Sequence, residues 1–217
     1  MKDSSISNHM QTIAGHRAAI AEGEENIIDI KCATNLMSAA IGLRNPYTKN
    51  HSDHVAEITL NIAESGFSDQ FVNLDTVRMA AIIHDVGKIA VDEFILNKPT
   101  LLTEAEFEMI KFHTFLGRKL IADFDYNPML NDAILSHHEN YDGTGYPNGL
   151  KGDEIPLIAR IIRVADYFDA LTSSRPYRST LQVDDAINIM RKNMHCFDPD
   201  VFKVFINNKQ WLTRFCT

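Results

Sequence analysis

RMAAIIHDVGK, residues 78–88, is the stretch on which the reading of this chain turns. Val77, Ala80, Ala81 and His84 recur at helical spacing, which predicts an amphipathic helix from about Leu74 to Val86, ahead of Gly87. The apolar run MAAII ends on His84-Asp85, and a charged group turned toward a core is costly unless something pairs with it. A lone His-Asp pair serves as well for a cap or a salt bridge as for half of a site. Lys88 follows one helical turn after His84.

Helical periodicity continues in both directions. Ile27, Ile30, Leu36, Met37, Ala40 and Ile41 predict a long helix from about Asn26 to Leu43, with Gly42 and Asn45-Pro46 as its stop. His51, Val55, Ile58 and Ile62 share a face of a second, from about Thr48 to Ser65, stopped by Gly66. Thr103 and Glu106 form a capping box for a helix carrying Ile110, His113, Gly117 and Leu120. Asn127-Pro128 opens another, on which Ala133 and Ile134 precede His137 and His138 by four residues. Pro156 begins a sixth, through Ile162, Asp166 and Asp169 to about Leu171. Two more are predicted at about Val183–Met194 and Pro199–Ile206, the latter capped by Asp198. No segment alternates long enough to demand a strand, so the expected fold is all-α, a compact multi-helix bundle. Its one long irregular stretch, DGTGYPNGLKG at 142–152, holds four of the ten glycines and reads as a shaped loop.

The 217 residues, 45 % hydrophobic and 23 % charged, suffice for a sizeable core without disulfides. Cys32, Cys196 and Cys216 are scattered and odd in number, which fits a reducing, cytoplasmic setting. MKDSSISNHM at the start has no apolar signal region, and no run is long enough to span a membrane. Lys and Arg number 21 against 29 Asp and Glu, a net charge of −8, which argues against polymeric nucleic acid and anionic membranes as partners. Nine histidines, four of them beside an acid or another histidine, equip the chain for metal instead.

His51, His84, Asp85, His113, His137, His138 and Asp166 each intrude on an otherwise apolar face, from five helices. The ordinary alternative for any one histidine is a core residue bonded to a backbone carbonyl. Seven unpaired groups buried separately would each cost on the order of 1–3 kcal/mol, whereas metal coordination satisfies them together. Imidazole and carboxylate without thiolate point to iron, manganese or another first-row divalent ion rather than structural zinc. Seven donors exceed the needs of one ion with an open position, so two ions bridged by a carboxylate are expected. Downstream, residues 160–178 carry Arg160, Arg163, Arg175 and Arg178 with only Asp166 and Asp169, a local net of +2. Such a run is usually a solvated face, but arginine forks also suit phosphate oxygens.

Taken together, NPYTKNHS, HDVGKIAVDEFILNKP, LLTEAEF, His113, HHENYDGTGYPNGLKGDEIPLIARIIRVADYFDALTSSRPYR and the late FDP resemble the HD-GYP family, a branch of the HD-domain metal-dependent phosphohydrolases. The resemblance runs from about Asn26 to the C-terminus. It makes 26–217 an HD-GYP catalytic domain and leaves 1–25 as a polar tail or linker remnant, with no sensor domain attached. It implies an all-helical HD-domain bundle that hydrolyses cyclic dinucleotides, chiefly cyclic di-GMP, with cyclic GMP-AMP or a non-catalytic nucleotide-sensing or partner-docking role as alternatives. Carried over by position, His51, His84, Asp85 and Asp166 are ligands of one metal. Asp85, His113, His137 and His138 hold the other, with Asp85 bridging. The ions implied are iron or manganese, ahead of nickel, cobalt or magnesium. Lys88 matches the catalytic lysine. Tyr146, Asp169, Arg175 and Arg178 fall where the family holds phosphates and guanine. Tyr47 stands where members with a third metal carry glutamate, so two metals are expected. Asn45 and His54 replace a frequent aspartate and arginine near the first ligand. The chemistry implied is in-line attack on phosphorus by a hydroxide bridging the two ions, yielding the linear dinucleotide.

Overall fold

The computed structural model describes residues 24–71, 73–122, 128–173 and 180–215. Eleven α-helices lie among these residues, joined by short 3₁₀ turns, and no strand occurs among them. The longer ones are α1 Glu24–Arg44, α2 Pro46–Gly66, α3 Leu74–Ile83, α5 Glu104–Lys111, α6 His113–Ala122, α7 Pro128–Ser136, α8 Leu157–Thr172, α9 Val183–Lys192 and α10 Pro199–Asn207. Two single-turn helices, α4 Glu93–Leu96 and α11 Lys209–Leu212, were too short to show periodicity. The expected tail lies almost wholly outside the described residues, and α1 is already under way at Glu24. No helix among the described residues is long and apolar enough to cross a membrane.

The bundle is organised around α8, which buries Ile158, Ile161, Ile162, Val164, Ala165 and Phe168. α2 packs between α3 and α8, and α7, α9 and α10 close the other sides of α8. Ile58 and Ile62 of α2, Ile83 of α3 and Ile134 of α7 meet it in one continuous core. Burial of a side chain of this size stabilises by about 1.5–3 kcal/mol. The same helices therefore hold together and aim their polar residues at one end.

Three boundaries differ from the sequence expectation. Gly42 does not stop α1; the helix runs on to Arg44, and Asn45 caps α2 by accepting from the Thr48 amide at 3.2 Å. The helix expected to reach Val86 ends at Ile83, and the chain tightens into a 3₁₀ turn over Val86–Ala90. Contact explains the turn: a Cβ on Gly87 would lie 1.9 Å from the carbonyl oxygen of His113 and 2.5 Å from the Gly117 nitrogen. The capping box of Thr103 and Glu106 is present, with Thr103 N donating to Glu106 Oε2 at 2.8 Å. The helix it opens breaks at Phe112, however, and a new one starts at His113. There the His113 ring donates to the Ile110 carbonyl at 2.7 Å, a bond that spacing alone does not reveal.

Gly87 thus carries a close backbone approach between the 3₁₀ turn and α6. Gly87→Ala is expected to destabilise the domain by about 3 kcal/mol, the upper range for overpacking without a flexible neighbour to yield. Urea unfolding reads this as a lowered midpoint at unchanged slope.

Candidate metal centre

The polar end of the bundle is built from helix termini. His84 is the residue after α3, His113 begins α6, and His137 and His138 follow α7 directly. In each of His84, His113 and His137 the Nδ1 lies 2.7 Å from the carbonyl oxygen three residues earlier: Ala81, Ile110 and Ile134. A carbonyl only accepts, so Nδ1 carries the hydrogen and Nε2 presents a lone pair inward. The Nε2 atoms of His113 and His137 are 3.3 Å apart. Two facing lone pairs repel unless a cation or a proton lies between them.

Asp85 stands at the centre, 1 % exposed. Its Oδ1 is 3.2 Å from His113 Nε2 and 3.8 Å from His137 Nε2, while its Oδ2 is 3.4 Å from His84 Nε2 and 3.7 Å from His51 Nε2. Lys88 Nζ donates to Oδ2 at 2.5 Å. Neither Asp85 Oδ1 nor His84 Nε2 makes a hydrogen bond, and both are buried. Two sets of donor atoms each converge within 4.8 Å: Asp85, His113, His137 and His138, and His51, His84 and Asp85. Asp85 belongs to both. The seventh expected residue, Asp166, lies between them, 3.2 Å from His51 Nε2 and 3.8 Å from His138 Nδ1. Orphaned buried donor atoms, inward lone pairs and an imidazole–carboxylate set without thiolate fit first-row divalent ions.

The electrostatics follow from this crowding. Burial opposes charge on Asp85, but the Lys88 ammonium beside it holds its carboxyl well below the usual range. Burial likewise opposes charge on Asp166, and the bond from His51, with its charge, holds its carboxyl down. His137 and His138 are pushed well below the ordinary imidazole value by burial and by neighbouring rings. His51 goes the other way: burial disfavours its charge, yet bonds to Asp166 and Asp169 raise it to about 9.

Asp169 departs from the expected substrate-facing position. It is fully buried; Oδ2 accepts from His51 Nδ1 at 2.6 Å and Oδ1 from His54 Nδ1 at 3.0 Å. With both oxygens engaged, it orients His51 from behind, as a carboxylate does behind a metal-bound imidazole. His51 and His54 are spaced three apart on α2, and Asp166 and Asp169 three apart on α8, so one helical turn faces another.

Tyr146 stacks on His138, ring centroids 4.8 Å apart. Three supports hold its loop; the sequence marks Arg163 only as a fork suited to phosphate and the loop glycines only as shaping, and does not show the roles of Glu139 and Asn140. Glu139 is buried and accepts from the Asn148 amide at 2.7 Å. Arg163 donates Nε and Nη2 to Asn140 Oδ1 at 3.0 and 2.8 Å. A Cβ on Gly145 would lie 2.2 Å from the Asn140 nitrogen, so the loop fits tightly against the histidine turn. The run HHEN was the available signal: an acid and an amide directly after two candidate ligands. Arg160 pairs with Asp153 and Asp198 at 2.8 and 2.6 Å, away from the centre. Arg175 and Arg178 lie outside the described residues.

Residues 35–201 match the HD domain family, and the chain belongs to it, within its HD-GYP branch. A 3′3′-cGAMP-specific phosphodiesterase of Vibrio cholerae is 39 % identical over 175 residues, covering 80 % of this chain and 38 % of that protein. A cyclic di-GMP phosphodiesterase of Thermotoga maritima is 35 % identical over 197 residues, covering 88 % and 52 %. The crystal structure of a cyclic GMP-AMP-specific phosphodiesterase of V. cholerae superposes with a TM-score of 0.51 at 32 % identity, over 82 % of this chain and 40 % of that one. The chain thus spans about half or less of the length of these relatives.

Two outcomes are expected for the centre. With its value raised to about 9 by Asp166 and Asp169, His51 carries a second ring proton at neutral pH, which a divalent ion at Nε2 would have to displace. Metal uptake at pH 7 should therefore release about one proton from this position, and apparent affinity should climb with pH until about 9, as read by titration in weak buffer. Asp169→Asn should weaken metal affinity by about 10–100-fold while leaving the helical circular dichroism signal in place.

Proposed function

We propose that this domain is a two-metal phosphodiesterase that opens a cyclic dinucleotide to its linear form, with cyclic di-GMP as substrate. The observation that carries the reading is the pair of donor sets sharing Asp85, with Lys88 beside it. Family membership supports the chemistry, because named relatives cleave molecules of this class. The first named relative acts on cyclic GMP-AMP, which keeps that dinucleotide as the second reading.

In this proposal His51, His84, Asp85 and Asp166 hold one ion and Asp85, His113, His137 and His138 the other, iron or manganese. When bound, the two ions acidify water and neutralise the phosphodiester charge. Everything else falls to the chain's own groups. His84, His113 and His137 are held in the ligating tautomer by their carbonyl partners. Lys88 is 23 % exposed, so its ammonium can turn from Asp85 toward phosphoryl oxygens as their charge grows. Tyr146 walls the site on the His138 side and keeps a ligand against the centre. Arg163 lies 3.9 Å from Asp166 and adds fixed positive charge at the rim. Arg175 and Arg178 are assigned to the phosphates.

The test is anaerobic reconstitution with iron or manganese, followed by chromatography of products from cyclic di-GMP and cyclic GMP-AMP in parallel. Linear dinucleotide is expected; cleavage of neither, with two metals bound, replaces catalysis by nucleotide sensing. Changing His84 and Asp85 together to alanine should abolish both metal retention and turnover. Lys88→Ala should keep the metals and lower kcat by about 10²–10³-fold, the range for one lost transition-state donor.

A further inference from the structure

α5 is out of place in a bundle held by core burial. None of its residues is buried, yet it presents Phe107 at 45 % exposure next to the candidate site. The Phe107 ring meets Tyr146 edge to face, centroids 6.4 Å apart, and Tyr146 in turn stacks on His138. Lys111, one turn further along α5, sets its ammonium 4.9 Å from the centroid of Phe107 and 5.5 Å from that of Tyr146. Glu108 steadies it from the same helix at 2.6 Å. A capping box and a Lys98–Glu106 ion pair at 2.6 Å fix the start of this helix. Its position is therefore secured by polar contacts, and its aromatic ring is left for something else.

We propose that Phe107 and Lys111 form a purine subsite, in which a guanine of the substrate stacks on Phe107 and Lys111 donates to its O6 and N7. The proposal rests on the cyclic dinucleotide reading and adds how a base would be held. Aromatic rings stack bases of any kind, and the lysine supplies the choice. Guanine offers two acceptors on the edge that bears O6 and N7, whereas adenine puts an amino donor there that an ammonium cannot accept. The step from His138 to Tyr146 to Phe107 leads outward from the metal centre, as a base lies outward from its phosphate. One base on this shelf leaves the phosphate beside Lys88 and the donor sets.

The experiment separates this subsite from the catalytic reading. Turnover of the two dinucleotides by the metal-loaded wild type tests the latter. Equilibrium binding of guanosine monophosphate, adenosine monophosphate and ribose 5-phosphate to the same protein tests the former. The wild type should bind guanosine monophosphate about ten-fold or more tightly than ribose 5-phosphate. Phe107→Ala should bring that ratio close to one, and Phe107→Trp should restore it. Lys111→Met, which keeps the contact with the rings and removes the charge, should erase the preference for guanosine over adenosine monophosphate. Metal content should be equal in all variants. No preference for the nucleotide in the wild type, or a preference untouched by Phe107→Ala, overturns the subsite whether or not the dinucleotides are cleaved.

Discussion

Everything at the polar end of the bundle answers to one buried carboxylate. Asp85 is almost fully enclosed, faces four imidazoles and receives a single lysine. A lone charge in such a place would be strongly destabilising. Lys88 beside it keeps it ionised, while burial keeps His137 and His138 neutral. An ionised carboxylate set among the neutral rings of His137 and His138 has an unmet demand for positive charge. Divalent ions would meet that demand, and a raised His51 meets part of it without them.

The rest of the architecture serves this arrangement at one remove. Asp169 does not face a ligand but fixes His51, and so converts the packing of α2 against α8 into the aim of an imidazole. Glu139, Asn140 and Arg163 perform a similar office for the loop that carries Tyr146. Gly87 lets the Asp85 turn close against the backbone of His113, which brings donors from α3 and α6 together. The chain's net charge of −8 therefore says little about this site, whose character is set by which few groups are paired.

Much of this was legible beforehand, for a definite reason. Apolar stripes at helical spacing are dense in α2, α3 and α8, so the bundle and its long helices could be read directly. His51, His84, His113 and Asp166 stood out because each interrupts such a stripe. For the histidines, the two competing readings, core residue bonded to a carbonyl and metal ligand, describe opposite sides of one ring. Nδ1 of His84 satisfies the first and its Nε2 is left for the second. What escaped the sequence depends on direction within a helix turn. Nothing in IIRVADYFDA says that Asp169 points back to α2 while Asp166 points into the centre. The break at Phe112 was hidden because Ile110, His113 and Gly117 keep helical spacing across it.

Because the histidines at 84, 113, 137 and 138 sit at helix ends, the centre works as a joint between rods. The bodies of α3, α6 and α7 can exchange one apolar residue for another with modest effect, as cores generally tolerate. Their lengths have no such freedom. One residue inserted ahead of a terminal histidine swings it by about 100° around the helix axis and carries it off the shared carboxylate. In this domain the count of residues between stripe and terminus is under tighter constraint than the identity of most residues counted.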